Sequence, residues 1–161
     1  MKLYINEKLF SLHHRFFVKD EFEQDVYEIS SEFLTIGDKT TVKDMMGNTI
    51  AYIEQRLLHF MPHYDIYIKG EITCSIAKKF KFFANNYELS NGYTIKGNFM
   101  ALKFSIYDEF GKEVGLLSRK FFSIGDKYTI EIYDEDKLPL VLSIIVSIAN
   151  DVNRAQSSNN N

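Results

Sequence analysis

Residues 106–130 read IYDEFGKEVGLLSRKFFSIGDKYTI and decide the fold, because residues 18–42, VKDEFEQDVYEISSEFLTIGDKTTV, align with them without a gap. Eleven of the 25 aligned positions are identical, whereas chance at average residue usage would supply about one or two. A third copy occupies residues 42–66, and a slightly shorter fourth copy lies near residues 66–89. The chain is therefore built from repeated units of about 24 residues.

Each unit has the pattern of two strands joined by tight turns. Asp-x-x-Gly at 44–47 and 108–111 is turn chemistry, since Asp opens a turn and Gly accepts a positive φ, and Ile-Gly-Asp-Lys at 36–39 and 124–127 supplies the second turn. The 14 Phe and 10 Tyr, with only two Pro, favour pleated strands between the turns. The pattern predicts about twelve strands, near residues 2–10, 14–20, 25–34, 39–44, 49–57, 63–69, 72–80, 86–90, 93–98, 101–107, 112–121 and 127–133.

Two local features predict details of this sheet. Apolar positions step by three and then four residues at 26→29→33, 50→53→57 and 114→117→121. A step of three cannot keep one face of a regular strand, so we predict a β-bulge or a change of face near the middle of these strands. Asn91-Gly92 separates two short strand-like segments, which predicts a tight hairpin there.

The strands predict a closed barrel with a helix inside it. Short consecutive connections favour antiparallel neighbours, and a dozen strands must close on themselves or split into two sheets to hide their edges. Closure leaves a lumen too wide for sheet side chains to fill. The only long apolar run, at 138–152, follows three acidic residues at 134–136 that suit a helix N-terminus. We therefore predict a mostly β single domain at 1–153, a closed antiparallel barrel of about twelve strands around a central helix at about 138–152, with a disordered tail at 154–161.

The apolar run also leaves a lipid-associated segment as an alternative. A helix from Leu138 to Val152 spans about 22 Å, short of the roughly 30 Å hydrocarbon core of a bilayer. Ser143, Ser147 and the polar pair at 150–151 weaken the membrane interpretation further. The run favours a buried core helix.

Residues that could carry chemistry have simpler structural explanations. Cys74 lies inside a predicted strand with no Gly-rich turn or histidine beside it, which is typical of a small buried residue. His59 and His63 have the spacing of helical metal ligands, but Pro62 lies between them at a hairpin end, and the pair at 13–14 lies at another turn. The sequence contains no P-loop, dinucleotide-binding or Gly-x-Ser-x-Gly motif. It therefore predicts no catalytic, cofactor-binding or metal-binding residue, and no enzyme.

The charge distribution points to a binding surface. Residues 72–127 hold nine Lys and Arg against five Asp and Glu, a charge of +4, and the remainder carries −7, which gives the net charge of −3. Basic residues occur at equivalent places of two repeat units, and the candidate anionic-ligand site comprises Lys78, Lys79, Lys81, Arg119 and Lys120. Such a patch suits anionic lipid headgroups or, as an alternative, a nucleic-acid backbone. Solvated charges that guard strand edges are the other alternative.

The repeat, the strand count and the apolar C-terminal run resemble the LURP-one-related (YxjI-like) family of the Tubby C-terminal-like superfamily, which also includes phospholipid scramblases. The segments that carry the resemblance are Met1–Phe10, Phe17–Asp20, Asp25–Tyr27, Ile36–Asp38, Asp44–Gly47, Ile53–Arg56, Tyr64–Ile68 and Lys120–Asp126. The resemblance covers residues 1–153 and implies a twelve-stranded barrel around the C-terminal helix, with no settled activity for the bacterial branch. Scramblase-like cysteine clusters are absent from the sequence, which has one Cys.

These observations favour a non-enzymatic binding module whose leading ligand is anionic phospholipid or a membrane surface. The alternative is a protein-interaction or scaffold domain, with nucleic acid a weaker candidate. The opening residues 1–7 are interrupted by charge and do not resemble a signal peptide. We expect a cytoplasmic protein, at most peripheral at the inner face of the membrane, without a cofactor.

Overall fold

The structure is a computed structural model that describes residues 1–6, 15–32, 37–81, 84–120 and 127–159. Within these ranges the chain forms twelve strands and one long helix. They are β1 (Lys2–Asn6), β2 (Arg15–Lys19), β3 (Asp25–Glu32), β4 (Lys39–Asp44), β5 (Thr49–Gln55), β6 (His63–Ile68), β7 (Glu71–Lys81), β8 (Ala84–Leu89), β9 (Thr94–Asn98), β10 (Lys103–Tyr107), β11 (Glu113–Lys120), β12 (Lys127–Ile132) and α1 (Leu138–Asn159). The predicted mostly β architecture is confirmed.

The twelve strands form one antiparallel sheet that curls into a nearly closed barrel. Its order is β8-β7-β6-β5-β4-β3-β2-β1-β12-β11-β10-β9. The first and last strands of the chain pair along their whole length, with Leu3 opposite Ile130. The two ends of the sheet, β8 and β9, follow each other in sequence but are not hydrogen-bonded neighbours. The predicted closure is therefore interrupted at one seam, between β8 and β9.

Antiparallel order gives the barrel two distinct ends. All even-numbered strands run one way, so the turns at 20–24, 45–48 and 108–112 lie together at the end where α1 begins; we call this the Asp-turn end. The connections at 56–62 and 99–102 lie at the opposite end, where α1 finishes. We call that the basic end, for the residues described below.

The predicted bulges exist, but near the strand starts. The register shifts by one residue where Lys19 pairs with Asp25, where Lys43 pairs with Thr49 and where Tyr107 pairs with Glu113. The extra residues are those at 26, 50 and 114, the first members of the apolar steps. A fourth shift lies between β6 and β7, after Ile66. The bulges lie beside the turns because each hairpin adjusts its register there before the regular ladder begins.

Helix α1 fills the barrel. Asp134 caps the short 3₁₀ turn before it by accepting a hydrogen bond from the Asp136 N–H at 3.2 Å. Every residue from Leu140 to Ala149 is buried. A Cβ placed on Gly115 of β11 would lie 2.4 Å from Val141 Cγ1, so a glycine lets the helix approach the sheet closely. The core prediction for this segment is confirmed.

The helix ends later than predicted. It continues to Asn159, seven residues past the predicted end at Val152, and thus includes residues 154–159 of the tail that we expected to be disordered. Arg154 forms an ion pair with Asp38 and donates a hydrogen bond to Gln55 Oε1 at 2.9 Å, which ties the last turns to the barrel. The helix is long and apolar enough to cross a membrane, contrary to the length argument, but 72% of that span is buried inside the barrel.

Candidate functional site: the basic end of the barrel

Basic residues concentrate at one end of the barrel. Odd-numbered strands finish, and even-numbered strands begin, at this end. In the described ranges it holds Arg15, Lys39, Arg56, Lys78, Lys79, Lys81, Lys103, Arg119, Lys120, Lys127 and Arg154. The acidic residues in the same half are Glu28, Glu32, Asp38, Glu54, Asp65, Glu88 and Asp151. This half is net positive, and the Asp-turn half is net negative.

Lys78, a member of the predicted site, points into the barrel. Its Nζ lies 2.7 Å from Asp151 Oδ2 on α1, and both side chains are at least nine-tenths buried. Tyr87 on β8 donates a second hydrogen bond to Asp151 Oδ2, also at 2.7 Å. Burial, and then the charge of Asp151, raise the pKa of the Tyr87 and Tyr64 hydroxyls above the ordinary value. Lys78 is thus part of a buried ionic network and is not available to a surface ligand.

The other predicted residues lie at the same end of the barrel, on the strands β7 and β11. Lys79 is exposed and forms an ion pair with Glu88 at 3.0 Å. Arg119 is half-buried on β11, opposite Tyr128. For Lys81 and Lys120 the structure describes the backbone alone, at the basic ends of β7 and β11. These two strands are separated by β8, the seam, β9 and β10, so the two basic segments share an end without being neighbours.

The β5–β6 loop carries the most exposed apolar side chains described at this end. Leu58 and Phe60 are exposed to the full extent of an isolated residue, at 103% and 102%, and Leu57 is also exposed. Leu58 has φ +67°, in the left-handed region that a leucine rarely adopts. The loop is joined to the basic strand β7, because the Lys78 N–H donates to Pro62 O at 2.9 Å. An ordered apolar projection therefore lies directly beside basic residues.

A buried carboxylate holds the base of this loop. Asp65 is 1% exposed, accepts a hydrogen bond from Ser75 Oγ at 2.6 Å and forms an ion pair with Arg56 Nε. His63 Nε2 lies 3.5 Å from Asp65 Oδ1, and the His59 ring stacks on His63 with a centroid separation of 4.5 Å. The two histidines lie at a hairpin end, as the sequence indicated, and the structure adds that their rings stack. Among the described residues, no group of three or more His, Cys, Asp or Glu side chains could hold a metal ion.

The histidine pair makes the loop sensitive to acid. Burial lowers the pKa of His63 below its ordinary value, and His59 and Arg56 lower it further, while Asp65 opposes them. The neutral imidazole is therefore favoured in the folded state. Below the unfolded-state pKa of about 6.5, the unfolded chain binds more protons than the folded one, so stability falls as the pH drops from that value toward the folded-state pKa.

We expect the substitution His59→Gln to raise the pKa of His63, because it removes a like charge stacked on the ring. NMR titration of the His63 imidazole measures the pKa directly. The amide protection of the loop at 56–62, corrected for the intrinsic exchange rate at each pH, should also fall less between pH 7.5 and pH 5.5 in this variant than in the wild type. An unchanged His63 titration would contradict this account of the loop.

The seam between β8 and β9 is a second surface feature that the sequence did not predict. Asn91-Gly92 forms the expected tight turn, with the Tyr93 N–H donating to Asn91 Oδ1 and φ +81° at Gly92. The predicted hairpin is nevertheless wrong, because the flanking strands do not pair. A groove of about 840 Å³ opens there, lined by residues of β7, β8, β9 and the turn before β9 that include Lys79, Tyr87 and Tyr93.

Cys74 is buried in β7, as predicted for a small core residue, and burial raises the pKa of its thiol. A buried thiol with a raised pKa is a poor nucleophile.

Twelve antiparallel strands around a buried C-terminal helix define a Tubby C-terminal-like barrel. The chain belongs to the LURP-one-related family, whose model matches residues 1–149, and the resemblance seen in the sequence is confirmed. It is 32% identical over 141 residues to "Uncharacterized protein YxjI" of Bacillus subtilis (strain 168), covering 86% of each chain. It also superposes on the X-ray structure of an Arabidopsis thaliana protein with a TM-score of 0.67, 16% identity, and coverage of 94% of this chain and 90% of that one. At that identity the likeness concerns the fold alone.

The sequence analysis missed two groups of residues at the basic end: the basic residues at the starts of even-numbered strands and the exposed apolar residues of the β5–β6 loop. For the first group the sequence contained a usable signal. Because even-numbered strands begin where odd-numbered strands finish, Arg15, Lys39 and Lys103 necessarily join the predicted basic residues once the strands are numbered. The exposure of Leu58 and Phe60 had no comparable signal, since an apolar pair next to a strand usually indicates core.

Proposed function

We propose that this chain is a non-enzymatic binding module that docks on membrane surfaces containing anionic phospholipid, at the cytoplasmic face, through the basic end of its barrel. The basic end combines the two requirements of a peripheral membrane site. Apolar side chains can enter the headgroup region, and surrounding cations can contact lipid phosphates.

The exposed loop is the observation that carries the proposal. Leu58 and Phe60 gain no burial from the fold, and the left-handed backbone at Leu58 costs of order 1 kcal/mol. Transfer of one such side chain into an apolar phase contributes roughly 1.5–3 kcal/mol. A membrane would provide this burial, whereas water does not.

The charge of the basic end supports the anionic preference. Lys103 is exposed and Lys79 forms only an exposed pair with Glu88. Exposed pairs contribute about 0–1 kcal/mol, so such a lysine can exchange a carboxylate for a lipid phosphate at little cost. Each cation near an anionic surface contributes about 1 kcal/mol, and salt screens this attraction.

Co-sedimentation with phosphatidylcholine vesicles of graded phosphatidylserine content, at low and high salt, tests the proposal. We expect binding that rises with anionic content and weakens with salt. The double variant Leu58→Asn and Phe60→Ser should bind at least about ten-fold more weakly, and it should stay folded because asparagine accepts the left-handed φ.

A charge-matched pair of variants separates the two ends. Lys79→Glu with Lys103→Glu should weaken binding, whereas Lys2→Glu with Lys112→Glu changes the net charge equally at the Asp-turn end and should not. Absence of binding at low salt would reject the proposal. Equal losses of vesicle binding in the two double variants would also reject the proposal, since they would show that only the total charge of the protein matters. Binding to neutral and anionic vesicles alike would instead favour a different kind of partner, such as a protein.

A further inference from the structure

Three turns at the Asp-turn end share one construction. They begin at Asp20, Asp44 and Asp108, and in each of them the Asp Oδ1 accepts hydrogen bonds from the N–H groups two and four residues later, at 2.8–3.0 Å. The Asp backbone oxygen accepts a third bond from the N–H three residues later, at 2.9–3.2 Å. The residue at that third place has a positive φ in every turn. These turns are rigid and repeat around the rim.

Each turn presents a large apolar side chain at the position two residues after the Asp. Phe22, Met46 and Phe110 are 74%, 88% and 87% exposed. The turn needs only the Asp and the residue with positive φ, so its hydrogen bonds do not require an apolar group at this position. The fold therefore displays three apolar tips that it does not use for its own core.

The tips lie in an acidic setting. Phe22 follows Glu21 and Phe110 follows Glu109, and both glutamates are exposed. Glu23, on the other side of Phe22, forms an ion pair at 2.5 Å with Lys127, the first residue of β12, which begins at the basic end. The exposed residues Glu135 and Asp136 stand at the same end, just before α1. The Asp-turn end thus combines apolar tips with excess negative charge.

The two ends of the barrel are complementary. The basic end carries exposed Leu58 and Phe60 among positive charges, and the Asp-turn end carries exposed Phe22 and Phe110 among negative charges. A partner for either end needs apolar groups and the opposite charge. The opposite end of a second copy of this chain has both.

We infer that copies of this chain associate head to tail, with the Asp-turn end of one copy seated on the basic end of the next. This contact is heterologous, so each pair keeps one free end of each kind and can extend into a row. The basic end of the terminal copy stays free for the membrane contact proposed above. The inference itself does not depend on lipid binding.

Sedimentation velocity without lipid, over a concentration series at low salt, tests this with two variants. One carries Phe22→Ser and Phe110→Ser, and the other carries Leu58→Asn and Phe60→Ser. We expect the wild type to form species larger than a monomer, and each variant alone to remain monomeric. An equimolar mixture should form a 1:1 dimer and nothing larger, because each variant keeps the end that the other lacks.

Three results would overturn the inference. They are a wild type that stays monomeric across the series, a variant that still associates alone, and a mixture that does not dimerise. Association of both variants alone would point instead to pairing through the β8–β9 seam. Vesicle binding, measured at concentrations where sedimentation shows monomers, should be normal for the Phe22 and Phe110 variant. Loss of membrane binding and loss of self-association are therefore distinguishable.

Discussion

Asp151→Ala should destabilise the protein by about 3–5 kcal/mol, because it leaves the ammonium group of Lys78 buried without a counter-charge. In the folded state Lys78 Nζ and the Tyr87 hydroxyl both lie 2.7 Å from Asp151 Oδ2. Both side chains are about nine-tenths buried, so water can replace Asp151 as a partner only poorly. Urea-induced unfolding followed by circular dichroism measures the change in the free energy of unfolding.

Two controls separate the buried pair from a general effect of charge. Replacing both partners, as Lys78→Met with Asp151→Leu, should restore stability to near the wild-type value, since buried pairs are often replaceable by apolar groups of similar size. Glu88→Ala removes the partner of Lys79 on the outer face and should cost less than about 1 kcal/mol. If Asp151→Ala cost no more than Glu88→Ala, the buried network would contribute nothing specific.

The sequence could have indicated that Lys78 points inward. Cys74 and Ile76 are buried on the face of β7 that lines the barrel, and Lys78 continues the same alternation, while Lys79 faces outward. What sequence could not supply was the partner. Asp151 is 73 residues away, on a helix whose rotation inside the barrel is set by packing. Charge and spacing alone therefore located the five basic residues but could not show that Lys78 is buried in an ion pair.

The repeat predicted the sheet well because turn chemistry is local. The Asp turns and the pairing of consecutive strands follow from hydrogen bonds within one hairpin, whereas the bulges lie nearer the strand starts than predicted. This local reasoning fails at the seam between β8 and β9. Asn91-Gly92 forms its turn, yet β8 stays with β7 and β9 with β10. Phe99 packs edge-on against Tyr87, with a centroid separation of 5.0 Å, so side chains rather than backbone bonds cover the lumen there.

The apolar run located the core helix, but not its end. Composition becomes polar after Val152, which suggested disorder, whereas Arg154 continues the helix by contacts to Gln55 and Asp38 on the barrel wall. These contacts join segments about 100 residues apart in the chain, a separation at which local propensity carries no information. The helical part of the tail is stabilised by tertiary contacts.

Ile145→Asp should abolish the cooperative fold. Ile145 is completely buried on α1, within the run of buried residues that fills the barrel. Placing a carboxyl group there without a partner costs several kcal/mol, a large part of the roughly 5–15 kcal/mol that stabilises a typical domain. Gln156→Asp, at an exposed position of the same helix, should leave a cooperative thermal transition close to that of the wild type.

The same variants decide between a core helix and a lipid-associated segment. If α1 left the barrel to enter a membrane, the sheet would have to be stable without it, and Ile145→Asp would weaken lipid partition while the strands kept their cooperative melt. If α1 is the core, the variant loses the melt in the absence of any lipid, as should a chain truncated before Leu138. Because the twelve described strands enclose a lumen whose centre the helix occupies, we expect the second outcome. A truncated chain that still melts cooperatively would contradict a barrel whose stability depends on α1.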